Sequence, residues 1–146
     1  MNIIRNEATE AALQDNGRVY LCGNLALPNG VDHICTDGYE IGISYYADFS
    51  ADKPHYHASN TEYNYVLEGE IKILLIRDNK EIHLRKGDLF VLSPNEPYVG
   101  KCLPGTRVLF SKVPGGNDKE DLPLTEELQA WCCQWDSTQG GKERAQ

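Results

Sequence analysis

From Tyr39 to Val113, turn signals cut the chain into about eight or nine short runs, none of them long enough for an ordinary helix. The breaks are Arg77-Asp78-Asn79-Lys80, Lys86-Gly87-Asp88, Pro94-Asn95-Glu96-Pro97 and Pro104-Gly105, and Pro114-Gly115-Gly116 ends the series. Strands closed every 8 to 12 residues or so pack as a sandwich or barrel. Within residues 39–49, Tyr39, Ile41, Ile43 and Tyr45 share one face, and Glu40, Gly42, Ser44 and Tyr46 share the other. One face is apolar and the other mixed, as in an antiparallel sheet whose second face meets solvent, a partner or a cavity. In the run from Glu81 to Arg85, Ile82 and Leu84 alternate with polar positions, which turns His83 toward solvent.

The chemistry concentrates in HYHASNTEYNYVLEG, His55 to Gly69. Residues i and i+2 of a strand project to the same side, so His55 and His57 present both imidazoles together. Pro54 fixes its own φ and keeps Lys53 extended, which helps to aim His55. After a polar turn at 58–60, a new strand places Glu62, Asn64 and Val66 on one face, where the carboxylate can meet the imidazoles. Two neutral imidazoles and a carboxylate suit a divalent transition metal; iron, zinc, nickel, manganese and cobalt all accept these donors. Asn64 supports Glu62, bonds a neighbouring strand or faces a substrate, since a buried amide needs a partner.

HYHASNTEYNYVLEG resembles the first motif of the cupin superfamily: HxH, four residues, Glu, six residues, Gly, with every fixed position present. GDLFVLSPNEPY, Gly87 to Tyr98, resembles the second motif up to its last position, and together the likeness covers about residues 42–112. The resemblance implies an all-β fold, an antiparallel β-barrel or jelly-roll sandwich, with His55, His57 and Glu62 as metal ligands. Where the second motif normally supplies a further histidine this chain has Tyr98, and where an asparagine often follows four residues later it has Cys102. Tyr98 then binds the metal as a phenolate, moves a proton, or fills the space of the missing histidine; a hydroxyl aimed at substrate is the preferred reading. Cys102 shares the strand face of Tyr98, and with Asn64 and Tyr46 makes the candidate substrate contacts. Cupins include dioxygenases, sugar isomerases and epimerases, lyases, storage proteins and ligand-sensing domains. The expectation is a metal enzyme that isomerises, epimerises or eliminates from a sugar or hydroxy acid. A non-haem iron dioxygenase and a non-catalytic sugar-binding or sensing module are the alternatives. The family also implies a homodimer.

At 146 residues and 40% hydrophobic content, the chain suits one domain, residues 1–136, with a barrel core at about 39–113. Fourteen basic against twenty-two acidic residues give a net charge of −8, which works against nucleic-acid binding. No apolar stretch approaches the ~20 residues of a membrane span, and the first residues lack a signal-peptide pattern, so a cytoplasmic protein is expected. Five cysteines without framework spacing read as free thiols. Residues 7–14 can form two helical turns, and Leu27-Pro28-Asn29-Gly30 reads as a turn. Thr125 is a candidate N-cap for a helix at 125–135, whose Leu128, Trp131, Cys132 and Trp135 fall at helical spacing and should pack on the barrel or across a dimer. Residues 137–146 read as a flexible tail.

Overall fold

The computed structural model describes residues 1–26 and 29–137, together with the backbone of 141–144. Helix α1 (Asn6–Asn16) is followed by strands β1 (Arg18–Gly23), β2 (Ile34–Cys35), β3 (Glu40–Tyr46), β4 (Ser50–Ala51), β5 (His55–His57) and β6 (Thr61–Glu68). Then come β7 (Glu70–Leu75), β8 (Lys80–Arg85), β9 (Leu89–Leu92), β10 (Tyr98–Cys102), β11 (Thr106–Val113) and β12 (Lys119–Asp121), with helix α2 (Glu126–Cys132) and strand β13 (Gly141–Arg144) last. The strands form two sheets, ordered β2-β1-β3-β11-β6-β9 and β12-β5-β10-β7-β8-β13, with β4 also on β10. Among the described strands only β1 with β2 and β8 with β13 run parallel. The expected all-β barrel of jelly-roll type is therefore the fold observed.

Alternation along the strands explains why the sheets pack face to face. Val66, Leu92 and Val108 from the first sheet meet Ile71, Ile73, Leu84, Tyr98 and Cys102 from the second in one apolar cluster. This cluster fills one part of the interior, and the rest is an open cavity. Two glycines are required by close approach. At Gly42 an added Cβ would lie 2.5 Å from the Phe110 ring, the residue paired with it across β3 and β11. Gly69, at φ +83°, makes the turn between β6 and β7 where any side chain would strike Thr106.

The helices cover the outer faces. Ala12 and Leu13 of α1 pack on Val19, Ile43 and Tyr45, and Trp131 of α2 packs on Leu74 and Val99. Thr125 caps α2, its hydroxyl accepting from the Leu128 amide at 3.2 Å. At the other end of α2 the fully buried Lys101 donates to the carbonyls of Trp131 and Gln134 and to the Ser137 hydroxyl, each at 2.8 Å. An ammonium is well placed on carbonyls that a helix end leaves unpaired, although burial lowers the Lys101 pKa to about 8.

Several expectations are corrected. Helix α2 ends at Cys132 instead of running to residue 135, and Trp135 lies outside it, with the Lys72 ammonium 4.4 Å from its ring centre. His83 does not face solvent; its Nε2 is 2.9 Å from Glu70 Oε1 and its ring meets Trp135 edge-on. The expected flexible tail contains a buried residue, Ser137, and a segment, Gly141–Arg144, paired with β8. The physical reasons are the buried ammonium, which holds Ser137, and the free edge of β8, which pairs through backbone whatever the side chains. Residues 138–140, 145 and 146, like Leu27 and Pro28 of the turn read at 27–30, lie outside the described residues. All five cysteines are free. Among the described residues no helix is long and apolar enough to cross a membrane.

Candidate metal centre and cavity

A cavity of about 830 Å³ opens between the sheets, within the size range of small-molecule sites. Every residue singled out in the sequence lines it: His55, His57, Glu62, Asn64, Tyr46, Tyr98 and Cys102. Strand parity is the cause. His55 and His57 are the inward positions of β5, Glu62 and Asn64 of β6, and Tyr98 and Cys102 of β10, where Tyr98 pairs directly with His55.

Hydrogen bonds set the tautomers of both histidines. His55 Nδ1 is 2.6 Å from the Lys53 carbonyl, to which it donates, so Nε2 is left as an acceptor. The Tyr98 hydroxyl, 2.9 Å away, donates to it. His57 Nδ1 donates to Asp118 Oδ1 at 2.8 Å, and its Nε2 lies 3.3 Å from Glu62 Oε2. Asp118 also accepts from the backbone amides of Ser59 and Asn60 at 2.7 Å and from the Ser59 hydroxyl at 3.1 Å. Burial works to raise the Asp118 pKa, but these donors together hold it far below the usual carboxylate range. Asp118 is thus a fixed anion behind His57.

The donors fit a divalent metal in chemistry. Each ring is held at Nδ1 by an oxygen and shows Nε2 to the cavity, as metal-ligating histidines do. His57 stands between two carboxylates, with Nδ1 donating to Asp118, so a cation placed between Nε2 and Glu62 would take both as donors. Among the described residues, no three His, Cys, Asp or Glu side chains converge closely enough to hold a metal as they stand. His57 and Glu62 meet, whereas His55 Nε2 is engaged by Tyr98.

Burial, aided by the charges of Glu62 and Asp52, pushes the Tyr98 phenol well above its ordinary pKa, so the neutral hydroxyl is favoured. Burial likewise raises Tyr46 and, with Asp52 nearby, pushes the Cys102 thiol up to about 12. Cys102 therefore stays protonated and packs among the apolar residues of the interior. Asn64 is buried, and its Nδ2 reaches only the backbone carbonyl of Glu62, at 3.4 Å. It does not support the Glu62 carboxylate, which leaves its amide for the cavity.

Four lining or supporting residues were not singled out in the sequence. Asp52 follows the short strand β4, with its amide bonded to the Gly100 carbonyl at 2.8 Å and its carboxyl raised by desolvation. Arg18 and Ser44 face the cavity from β1 and β3, bonded to each other. Asp118 arrives because β12 pairs with β5, Lys119 opposite His57. Proximity to the histidines in sequence hints at Asp52, and strand parity with Tyr46 hints at Ser44, but no local pattern marks Arg18 or Asp118.

A model of the cupin domain matches residues 47–102, a span that holds His55, His57, Glu62 and Tyr98. No curated protein sequence matches significantly. Among solved structures, the polyketide cyclase RemF from Streptomyces resistomycificus superposes with a TM-score of 0.53 at 19% identity, over 64% of this chain and 66% of that one, just under two thirds. An RmlC-like cupin from Shewanella frigidimarina gives 0.50 at 20% identity, over 57% of this chain and 72% of that one. A nucleoside dehydratase from Streptomyces gives 0.51 at 13% identity, over 60% and 70%. These likenesses concern the fold, and they agree with the domain match and with the two motifs read at 55–69 and 87–98. By the domain match at residues 47–102 and by its fold, the chain is similar to proteins of the cupin superfamily.

Proposed function

We propose that this protein is an enzyme that binds one divalent transition metal through His55, His57 and Glu62 and acts on a small oxygenated substrate by proton chemistry. The observation that carries the reading is His57, fixed by Asp118 at Nδ1 and facing Glu62 with Nε2 at 3.3 Å. A bound divalent ion would polarise a substrate carbonyl or hydroxyl as a Lewis acid. The chain's own groups supply the proton steps. Tyr98, held neutral by burial, donates a proton to a departing or enolic oxygen, and the phenolate so formed regains one from water entering the cavity, which keeps the His55 Nε2 lone pair for the metal. Asn64 and Tyr46 orient substrate hydroxyls, and Cys102 is an uncharged wall. Isomerisation, epimerisation or elimination on a sugar or hydroxy acid fits these parts. That the fold is shared with a nucleoside dehydratase accords with elimination.

One observation favours a second reading. The Tyr98 hydroxyl already occupies His55 Nε2, which suits a metal-free acid–base pair on the same barrel. We also propose a homodimer formed through the outer face of the first sheet, where Tyr63, Tyr65, Leu89, Val91 and Leu109 are exposed.

Elemental analysis of protein purified without chelator or affinity-column nickel tests the metal reading, on wild type beside His57→Ala and Tyr98→Phe. Near-stoichiometric metal, lost in His57→Ala and kept in Tyr98→Phe, is expected. Iron with oxygen consumption would favour a dioxygenase instead. No metal after reconstitution would sink the metal reading; turnover by such protein would leave the His55–Tyr98 pair, and its absence a binding module.

A further inference from the structure

Three cations line the cavity, Arg18, Lys112 and Lys119, and their partners differ. Lys112 Nζ stands 3.9 Å from Glu40 and 3.4 Å from the Tyr20 hydroxyl, and Lys119 Nζ stands 4.0 Å from Asp121. Arg18 has no carboxylate partner among the described residues. Its Nε donates to Ser44 Oγ at 3.0 Å, and the guanidinium carbon lies 4.7 Å from the centre of the Phe110 ring and 5.9 Å from that of Tyr20.

This arrangement fixes one edge of the guanidinium and leaves the other edge free. Nε is held by Ser44, and stacking on Phe110 restrains the plane. Phe110 is itself seated against Gly42, where an added Cβ would lie 2.5 Å from its ring. What is left is the paired Nη edge, whose geometry matches both oxygens of a carboxylate. Glu40, Asp52 and Glu62 share this wall, and Asp52 feels the Arg18 charge, but among the described residues no carboxylate lies within ion-pair distance of the guanidinium, which is held in place without one. A neutral sugar would give it nothing that water does not.

Resting on the function proposed above, we infer that Arg18 is the carboxylate clamp of this site and that the substrate is a carboxylic acid bearing hydroxyl or keto groups. The acid group pairs with the Arg18 fork, and the hydroxylated part extends toward Asn64, Tyr98 and the His57–Glu62 pair. Ser44 is a positioning residue, holding Nε. A carboxylate is favoured over a phosphate because one unpaired cation matches one unit charge; the other two cations of the wall already face carboxylates.

The test is binding by calorimetry of glucuronate, galacturonate and gluconate, each beside its uncharged counterpart glucose, galactose or glucitol, with inorganic phosphate as a further arm. Wild type, Arg18→Gln, Arg18→Lys and Ser44→Ala are compared, each with metal added and with chelator. At least one acid should bind wild type more tightly than its neutral counterpart, and Arg18→Gln should weaken it roughly tenfold to a hundredfold while leaving the neutral compound unchanged. Arg18→Lys should restore part of the loss, and Ser44→Ala should weaken the acid less than Arg18→Gln. Circular dichroism and the melting temperature of Arg18→Gln report whether it folds; if it does not, Arg18→Lys and Ser44→Ala carry the comparison. Failure of every acid to bind wild type, equal loss of acid and neutral compound, or phosphate binding in preference to the acids overturns the assignment. An Arg18 effect that persists while binding ignores the metal leaves the clamp and removes the metal reading. Metal-dependent binding without an Arg18 effect does the reverse.

Discussion

Asp118 Oδ1 lies 2.8 Å from His57 Nδ1, although 61 positions separate the two residues. The contact fixes the ring so that Nε2, and not Nδ1, points at Glu62, which is how an outer carboxylate prepares a metal-binding histidine. Asp118→Asn removes the charge and permits the ring to turn. Zinc affinity measured by calorimetry should fall by about 10- to 100-fold, with the far-ultraviolet circular dichroism unchanged. Wild-type affinity in this variant would mean that His57 does not need Asp118 to present Nε2.

On the opposite face of the second sheet, Lys101 ties α2 to the barrel. Lys101→Met keeps the stem on Trp131 but abandons the carbonyls of Trp131 and Gln134 and the hydroxyl of Ser137. The Trp131 carbonyl keeps the Ser137 hydroxyl at 3.2 Å, so the Gln134 carbonyl is the acceptor that loses its donor, and a loss of about 1–3 kcal/mol in urea unfolding is expected. Trp131 emission should shift to the red as the helix loosens. A Lys101→Met protein as stable as wild type would show that apolar packing of Trp131 alone docks the helix.

What the sequence made legible follows the range of the interactions. His55, His57 and Glu62 lie on consecutive strands joined by one turn, so parity on each strand and a single crossing between the facing sheets bring them together, and the same parity sets Tyr98 on one face with Cys102. Parity puts Ser44 on the face of Tyr46, whereas Asp118 and Arg18 reach the site from far away in the chain, and nothing in their neighbours announces it. Strand β12 is exposed at all three positions and pairs by backbone only, so it has no alternation to detect. The inward parity of Tyr98 also implies an outward Lys101, but parity cannot say that a helix end waits above it.

Glu10 and Arg107 join α1 to β11, with guanidinium-to-carboxylate distances of 2.6 and 3.1 Å. The hydrogen bond from Arg107 lowers the Glu10 pKa in the folded protein. A depressed carboxyl pKa means that the unfolded state binds the proton first as pH falls. The stabilisation by this pair is therefore whole above the unfolded pKa of about 4.3 and disappears as pH drops through the lower folded value. The stability difference between wild type and Glu10→Gln should be constant near neutrality, shrink below about pH 4, and also shrink in high salt, as exposed pairs do. A difference that grows toward acid pH would mean that Glu10 takes up its proton more readily in the folded protein than in the unfolded chain, the reverse of what the Arg107 contact requires.

The outer face of the first sheet is covered by α1 only over β1 and β3. Beyond it the rows Leu109–Tyr65–Leu89 and Ser111–Tyr63–Val91 run across β11, β6 and β9, and Leu89 is 62% exposed. The rows are contiguous and mostly apolar and end at the edge strand β9, so a twofold axis through this face would set each row against its copy. A stable pair needs about 800 Å² buried on each partner, and aromatic residues at its centre carry most of the binding. Tyr65 is the central residue. Sedimentation should show a dimer for wild type at micromolar concentration and a monomer for Tyr65→Glu, whose buried charge would have no partner. Because Tyr65 points away from the cavity, zinc binding by the monomeric variant should equal that of wild type, and loss of both together would mean that pairing shapes the site.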